Sequence, residues 1–564
     1  MSSSNVREVF FMKILRKMIM FLMAALLVIS LCACGNNVTA VSKESENTSE
    51  QTENITDAGD SSEEEKNNTP EESGDEIPEG SSDAAAPEDS TGLTPPEGST
   101  PPEGTPGGTP PQGGPGGTPP EKPDGNGGPG GAPGGAPPEK PDGNGGPGGA
   151  PGGAPGGSSA DINYSGAEEI SSADTQSGQT YDSTASDQNA LLISTSDDVT
   201  ITDPTVTKTG DSDGGDNCNF YGLNAAVLVK DGGQTTITGG TITSDADGAN
   251  GVFCYGGNGG QNGSDGDGTT VTIRDTTITT TGSGSGGIMT TGGGTTYAYD
   301  LNVTTSGQSS AAIRSDRGGG TVYVDGGTYT SNGLGSPAIY STAEIHAANA
   351  ELVSNLSEGV CIEGLNSIEL TDCNLTANNT KCNGKATFLD SIMIYQSMSG
   401  DADSGTSHFT MTGGSLTSKN GHVFHVTNTS AVITLSGVSI TNEDSENILL
   451  SVCDDGWSGG SNTVELNASA QKLSGAVLVG NNSTLSMNLT DGSSFEGYVD
   501  GKITNAAGTT VSTEAGTVSV TLDDSSTWTL TGDSYVTEFK GNAANVISNG
   551  YTLYVNGTAL TGTK

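Results

Sequence analysis

From Ser158 to Lys564 the chain alternates apolar with small polar residues in short runs, and Gly, Asn and Asp interrupt the runs every few positions. Period-two alternation of this kind predicts strands with one buried face, and no helical period of useful length competes with it. The runs come in similar pairs. TTITGGTITSD starts at Thr235, TVTIRDTTITTTG at Thr270, TVYVDGGTYTSNG at Thr321 and AEIHAANAELVSN at Ala343. SIELTDCNLTANN follows at Ser367, HFTMTGGSLTSKN at His408 and VITLSGVSITNED at Val432. Between the pairs sits a further short strand: GGIMTT, AAIRSD, PAIYST, GVCIEG, SIMIYQ and HVFHVT. Most neighbouring pairs are roughly two dozen residues apart, a period that predicts one coil per repeat, stacked on the next. The expected fold is all-β, a parallel β-helix with a thin inward row of Ile, Val, Leu and Ala. A β-sandwich array is the alternative, and regular coil spacing without long hairpin arms argues against it. The solenoid is expected over 158–500. Beyond Asp500 the period loosens into C-terminal coils over 501–564, where NGYTLYVNGTAL reads as a last hairpin or capping coil protecting an open sheet edge.

Strict alternation also assigns faces. Ile313 points in, so Arg314 and Asp316 point out; Ile339 points in and Tyr340 out. Val360 and Ile362 point in and Glu363 out. Ile394 points in and Tyr395 out, and Val426 points in and His425 out. Stacking then predicts an exposed ladder of Met289, Arg314, Tyr340, Glu363, Tyr395 and His425. Tyr rings stack on sugar C–H faces and charged groups bond hydroxyls, so Arg314, Asp316, Tyr340, Glu363, Tyr395 and His425 are the candidate ligand-binding residues. The bland alternative is a solvated sheet face with scattered large residues. His422 and His425, three apart, are expected on opposite strand faces, which speaks against a shared metal. His346 and His408 look isolated. Trp457, in DDGWSGG, is either an exposed loop aromatic or a lid over one solenoid edge.

The N-terminal pattern is different. Arg7, Lys13, Arg16 and Lys17 precede an apolar run, Met18 to Leu31, that is too short for a comfortable membrane span and fits a signal peptide. The run ends in Leu31-Cys32-Ala33-Cys34-Gly35, which resembles a bacterial lipobox. The resemblance implies a signal peptide over 1–33, lipid on Cys34, and anchorage on the extracellular face of the bacterial cell membrane. Residues 34–93 are polar and acidic with almost no aromatics, and such a segment cannot bury enough surface to offset chain entropy. A Pro/Gly-rich spacer covers 94–157, in which PPEKPDGNGGPGGAPGGA begins at Pro119 and again at Pro137. A collagen register fails, because the glycines at 128, 131 and 134 are followed by Pro137. A semi-extended stalk is the expectation.

Charge narrows the partners. With 20 basic and 68 acidic residues the formal charge is -48, which excludes nucleic acid as a natural partner. Cys218, Cys254, Cys361, Cys373, Cys382 and Cys453 lie in the solenoid without metal-ligand spacing; either Cys373 pairs with Cys382 or all are buried thiols. No cofactor is expected; Ca²⁺ is a weak candidate at DSDGGDN from Asp211 and DGDG from Asp265, which match only fragments of a calcium loop.

From about Leu191 to the C-terminus, the repeated strand pairs resemble the right-handed parallel β-helix proteins of the pectin-lyase-like superfamily. The resemblance implies polysaccharide recognition along a strand face. The expected function is a lipid-anchored adhesin or carbohydrate-binding protein, non-catalytic, with a polysaccharide or cell-surface glycan as partner. Two alternatives remain: a polysaccharide lyase or glycoside hydrolase using the Arg314–Asp316–Arg317 cluster, and a structural surface spacer. A lyase needs a base and a Ca²⁺ held by several carboxylates, and a hydrolase needs clustered Asp residues; neither constellation is legible.

Overall fold

The computed structural model describes residues 162–212, 215–258 and 265–564. The expected signal peptide, Cys34, the two expected stalk segments and part of DSDGGDN lie outside the described residues. Three long sheets run along the solenoid, of 13, 14 and 10 parallel strands, and each takes every third strand of the chain over most of its length. One coil is therefore three strands, as in Ile288–Thr291, Gly294–Tyr299 and Asn302–Thr305. This is the stacked-coil architecture of a parallel β-helix. The second sheet continues past residue 500 through Thr517–Leu522 and Glu538–Lys540. The chain closes on the antiparallel hairpin Leu553–Val555 with Thr558–Ala559.

The corner between the second and third sheets explains the Gly, Asp and Asn that recur between the two strands of each pair in the sequence. In coil after coil a two-residue turn joins the sheets, and its first residue has positive φ: Gly239 at 71°, Asp275 at 52°, Asp300 at 50°, Gly326 at 74°, Asn349 at 54° and Asp372 at 51°. Gly, Asn and Asp are the residues that tolerate this left-handed region. The Asn349 side chain additionally donates to Asp325 Oδ1 on the preceding coil (2.8 Å). Asn349→Gly is expected to leave thermal stability nearly unchanged, whereas Asn349→Val costs about 1–2 kcal/mol through backbone strain. Equal melting temperatures for the two variants would remove the strain argument.

The core is a set of inward rows. The first sheet contributes Val252, Ile288, Ile313, Ile339, Val360 and Ile392; the second adds Ile345, Ile368 and Phe409, and the third Val303, Tyr329 and Leu352, all at most 2 % exposed. The interior is not wholly apolar. Lys208 is fully buried and donates to the backbone carbonyls of Ala185 (2.8 Å) and Gly210. Burial lowers its pKa to about 8, against the opposing pull of Asp187 and Asp211. Cys373 and Cys382 are free thiols and do not pair; their Sγ atoms donate to Ala347 O and Phe388 O.

The first sheet differs from the sequence expectation. Its strands Val252–Tyr255, Val360–Glu363, Asp390–Tyr395 and His422–Thr427 are buried at every position, on both faces. The helix Asp216–Tyr221 lays Phe220 and Tyr221 over Leu228, Phe253 and Met289. Ala386 and Trp457 pack on Tyr340, Met393 and Tyr395, and Phe388 and Ile503 on Ile448 and Leu478. Loops, one short helix and the hairpin strand Lys502–Thr504 thus roof the outer face of this sheet.

Candidate functional site

The six candidate ligand-binding residues all lie on this roofed face, as does Met289 of the predicted ladder. Arg314, Asp316, Tyr340, Glu363, Tyr395 and His425 are each 0–2 % exposed. Their outward direction is as alternation predicts; their exposure is not, because alternation says which face a side chain takes but not what covers that face. The column is also corrected. Met289, Arg314, Tyr340, Cys361, Met393 and His425 are in register. Glu363 and Tyr395 pair with each other one outward position further along the strand.

These residues do converge on one another. Arg314 Nη2 bonds Asp316 Oδ2 (2.9 Å), and Arg314 Nη1 reaches Asn219 Oδ1 (3.1 Å) on the roofing helix. Arg317, the third member of that sequence cluster, bonds Asp401 (2.7 Å) and lies 4.2 Å over the Phe220 ring. Tyr340 and Tyr395 both donate to Glu363 Oε2 (2.6 and 3.1 Å), and Ser397 donates to Oε1 through its N–H (3.3 Å) and its hydroxyl. Trp457 closes the cluster as a lid, its ring 4.9 Å from Tyr395. Burial lifts the Asp316 carboxyl to about 7 against the pull of Arg314, and burial raises Glu363 against its hydrogen bonds from Ser397 and Tyr340.

His422 and His425 are a second correction. Both Nδ1 atoms lie on Ser451 Oγ (2.7 and 2.8 Å), so the two rings share a side. The reason is the corner into this sheet, where two successive residues enter the core: Ala312 and Ile313, Ala338 and Ile339, Val423 and Phe424, Leu449 and Leu450. Residues three apart across that corner therefore both point out. Burial, then His425, pushes His422 down to about 3, while His425 Nε2 sits 3.5 Å from Asp455 Oδ2. The same corner stacks carboxyls. Glu358 and Asp390 each stand two residues before the paired positions Val360 and Ile392, on adjacent coils. Both are 1 % exposed, and neither Asp390 oxygen has a hydrogen-bond partner. Burial, then Glu358 and Asp455, pushes Asp390 far above the carboxylate range.

The open site is on the second sheet. Tyr297, Tyr323, His346 and Glu369 occupy one outward column on four consecutive coils. Arg274, Tyr299, Asp325 and Ala348 form the adjacent column. Tyr297 and Tyr323 stack at 5.1 Å with planes 8° apart, and Tyr323 and His346 at 5.1 Å and 10°. Tyr323 is 39 % exposed, one of the few large apolar side chains presented to solvent. His346, expected to be isolated, is held at both nitrogens: Nε2 on Glu344 Oε1 and Nδ1 on Glu369 Oε2, each at 3.0 Å. Ala348 leaves a gap between the columns, and the result is an open groove of about 370 Å³ floored by Val324, Ala347 and Ala348. Partial burial, then Glu344, raises the Tyr323 hydroxyl pKa. Sequence reading missed these residues because faces were assigned only on the short strands. The signal was present: TTYAYD, TVYVDG, AEIHAA and SIELTD place Tyr297, Tyr323, His346 and Glu369 at one strand position.

Among the described residues no three His, Cys, Asp or Glu side chains form a metal-binding group. At the DGDG segment Asp267 Oδ1 accepts from Thr269 N and Oγ1, an ordinary turn. Also among the described residues, no helix is long and apolar enough to cross a membrane. The chain matches no protein-family model, and no curated protein or solved structure matches it.

Proposed function

We propose that this chain is a lipid-anchored bacterial surface protein whose β-helix, of the pectin-lyase-like kind, binds glycan without cleaving it. The lipobox-like Leu31–Gly35 segment and the Pro/Gly-rich stretch support the anchorage and the stalk. The observation that carries the binding reading is the stacked Tyr297–Tyr323–His346 ladder beside an open groove. Exposed rings next to carboxylates and hydroxyls match the needs of a sugar, which offers apolar C–H faces and a rim of hydroxyls. Tyr323→Ala with His346→Ala is expected to lower retention on an insoluble neutral polysaccharide by about tenfold or more, as loss of two aromatic contacts of about 0.5–1.5 kcal/mol each implies. Unchanged retention would sink the reading.

A second reading, a lyase or hydrolase, has one observation in its favour: Asp316, pushed up to about 7 beside Arg314, has a proton affinity suited to acid–base chemistry. It requires the roof over that cluster to lift. New reducing or unsaturated ends in the same incubation, lost in Asp316→Asn, would favour it over binding alone.

A further inference from the structure

The groove on the second sheet carries more information than an aromatic platform. Asp325 and Glu369 line it, and Glu344, two residues before His346 on the same strand, stands on the far side of that ring. The Glu344 and Glu369 side chains are 60 % and 53 % exposed, so both face water. Among the described residues of these columns the one Lys or Arg is Arg274, and its guanidinium is laid 3.7 Å over the Tyr299 ring. His346 offers no free donor, since each ring nitrogen already faces a carboxylate. The groove therefore presents two carboxylates and the edges of the stacked rings, with no Lys or Arg directed at a ligand, and Glu344 adds a third negative charge beyond His346. Negative charge favours an ammonium group. The same arrangement disfavours a uronate, whose carboxylate would meet like charge at close range.

Resting on the glycan-binding reading above, we infer that the ligand is a glycan bearing free amines: a polymer of N-unsubstituted hexosamine. The sugar rings lie along the Tyr297–Tyr323–His346 ladder, and their ammonium groups face Asp325 and Glu369, with Glu344 adding negative charge beyond His346. Neutral glycan binds the same groove more weakly, and acidic glycan is refused.

With a formal charge of -48 the whole chain adheres to any polycation at low salt, so the deciding comparison is between near-identical charges. The full chain and its Asp325→Asn/Glu344→Gln/Glu369→Gln variant differ by three charges only. Both are measured at physiological salt on beads of β-1,4-linked glucosamine polymer, of its N-acetylated form and of polygalacturonate. The expected result is a preference of about tenfold, or about 1.4 kcal/mol, for the amine polymer over the acetylated one. In the triple variant that preference disappears while retention on the acetylated polymer persists. A triple variant that keeps the full preference would overturn the inference, since the attraction would then come from the acidic chain at large. Equal retention on polygalacturonate would overturn it too. Loss of Tyr323 and His346 without effect on the acetylated polymer strikes the glycan reading itself, and so separates the two failures.

Discussion

Asp390→Asn is expected to raise the unfolding temperature at about pH 8 and to leave it nearly unchanged at about pH 4, as proton linkage requires. Asp390 is 1 % exposed, neither of its oxygens finds a donor, and its charged neighbours Glu358 and Asp455 are both acids. A buried carboxylate in that position stays protonated in the folded chain well above the pH at which it ionises when unfolded. The sign follows. A folded-state pKa raised above the unfolded value gives stability that is fully present below the unfolded value and is lost as pH rises through the folded one. For Asp316 the window runs from the ordinary 3.8 to about 7. Glu358 and Glu363 move in the same direction, burial being the largest cause for each. Each such group steepens the fall in stability by up to about 1.4 kcal/mol per pH unit across its window. Asp455, Asp523 and Glu538 work oppositely: their pKa values are lowered, so their contribution is lost as pH falls below the carboxylate range. The wild type is therefore expected to lose stability toward alkaline pH through the raised carboxyls, and toward acid through His422, whose folded pKa is pushed from 6.5 down to about 3. Asn at 390 removes one ionisation and flattens the descent toward alkaline pH. Parallel melting curves for wild type and Asp390→Asn from about pH 4 to 8 would show that this carboxyl is not held protonated.

Arg314→Met is the second large expectation, a loss of about 3–5 kcal/mol at pH 8, because it strands Asp316 as a buried charge. Both side chains are 3 % exposed, and Arg314 also ties the sheet to its roof through Asn219. The loss shrinks at about pH 5, where Asp316 is protonated in the folded chain and needs no counter-charge. Arg314→Met with Asp316→Leu recovers most of the stability, since paired apolar replacements of a buried ion pair are often neutral. Glycan retention by the double variant stays at the wild-type level if the ligand sits on the second sheet. Denaturant midpoints at the two pH values, read beside retention, check both statements. A double variant as unstable as the single one would mean that Arg314 acts through Asn219 and the helix rather than through Asp316.

The architecture was legible because a solenoid repeats its local rules. The period of the strand pairs, the Gly, Asp and Asn at the turn, and the alternation of Ile and Val with Thr and Ser each follow from nearest-neighbour geometry. So strand order, parallel stacking and inward rows such as Ile345 and Ile368 could be read from the chain. Two things could not. Whether an outward residue meets water depends on segments far away in sequence: Phe220, Trp457 and Ile503 cover Met289, Tyr395 and Leu478. That turned a predicted open ladder at Tyr340 and His425 into a sealed polar network. Register between coils depends on insert lengths and on the corner where two residues enter the core together. This placed His422 beside His425 on Ser451, and set Cys361 where Glu363 was expected. Tyr323 stayed open because none of the described segments folds back over the second sheet there, and its neighbours above and below became Tyr297 and His346 through register alone. Sequence determined the coil, since the forces that make it are local; tertiary structure decided the site, since exposure and juxtaposition are properties of surfaces brought together from distant parts of the chain.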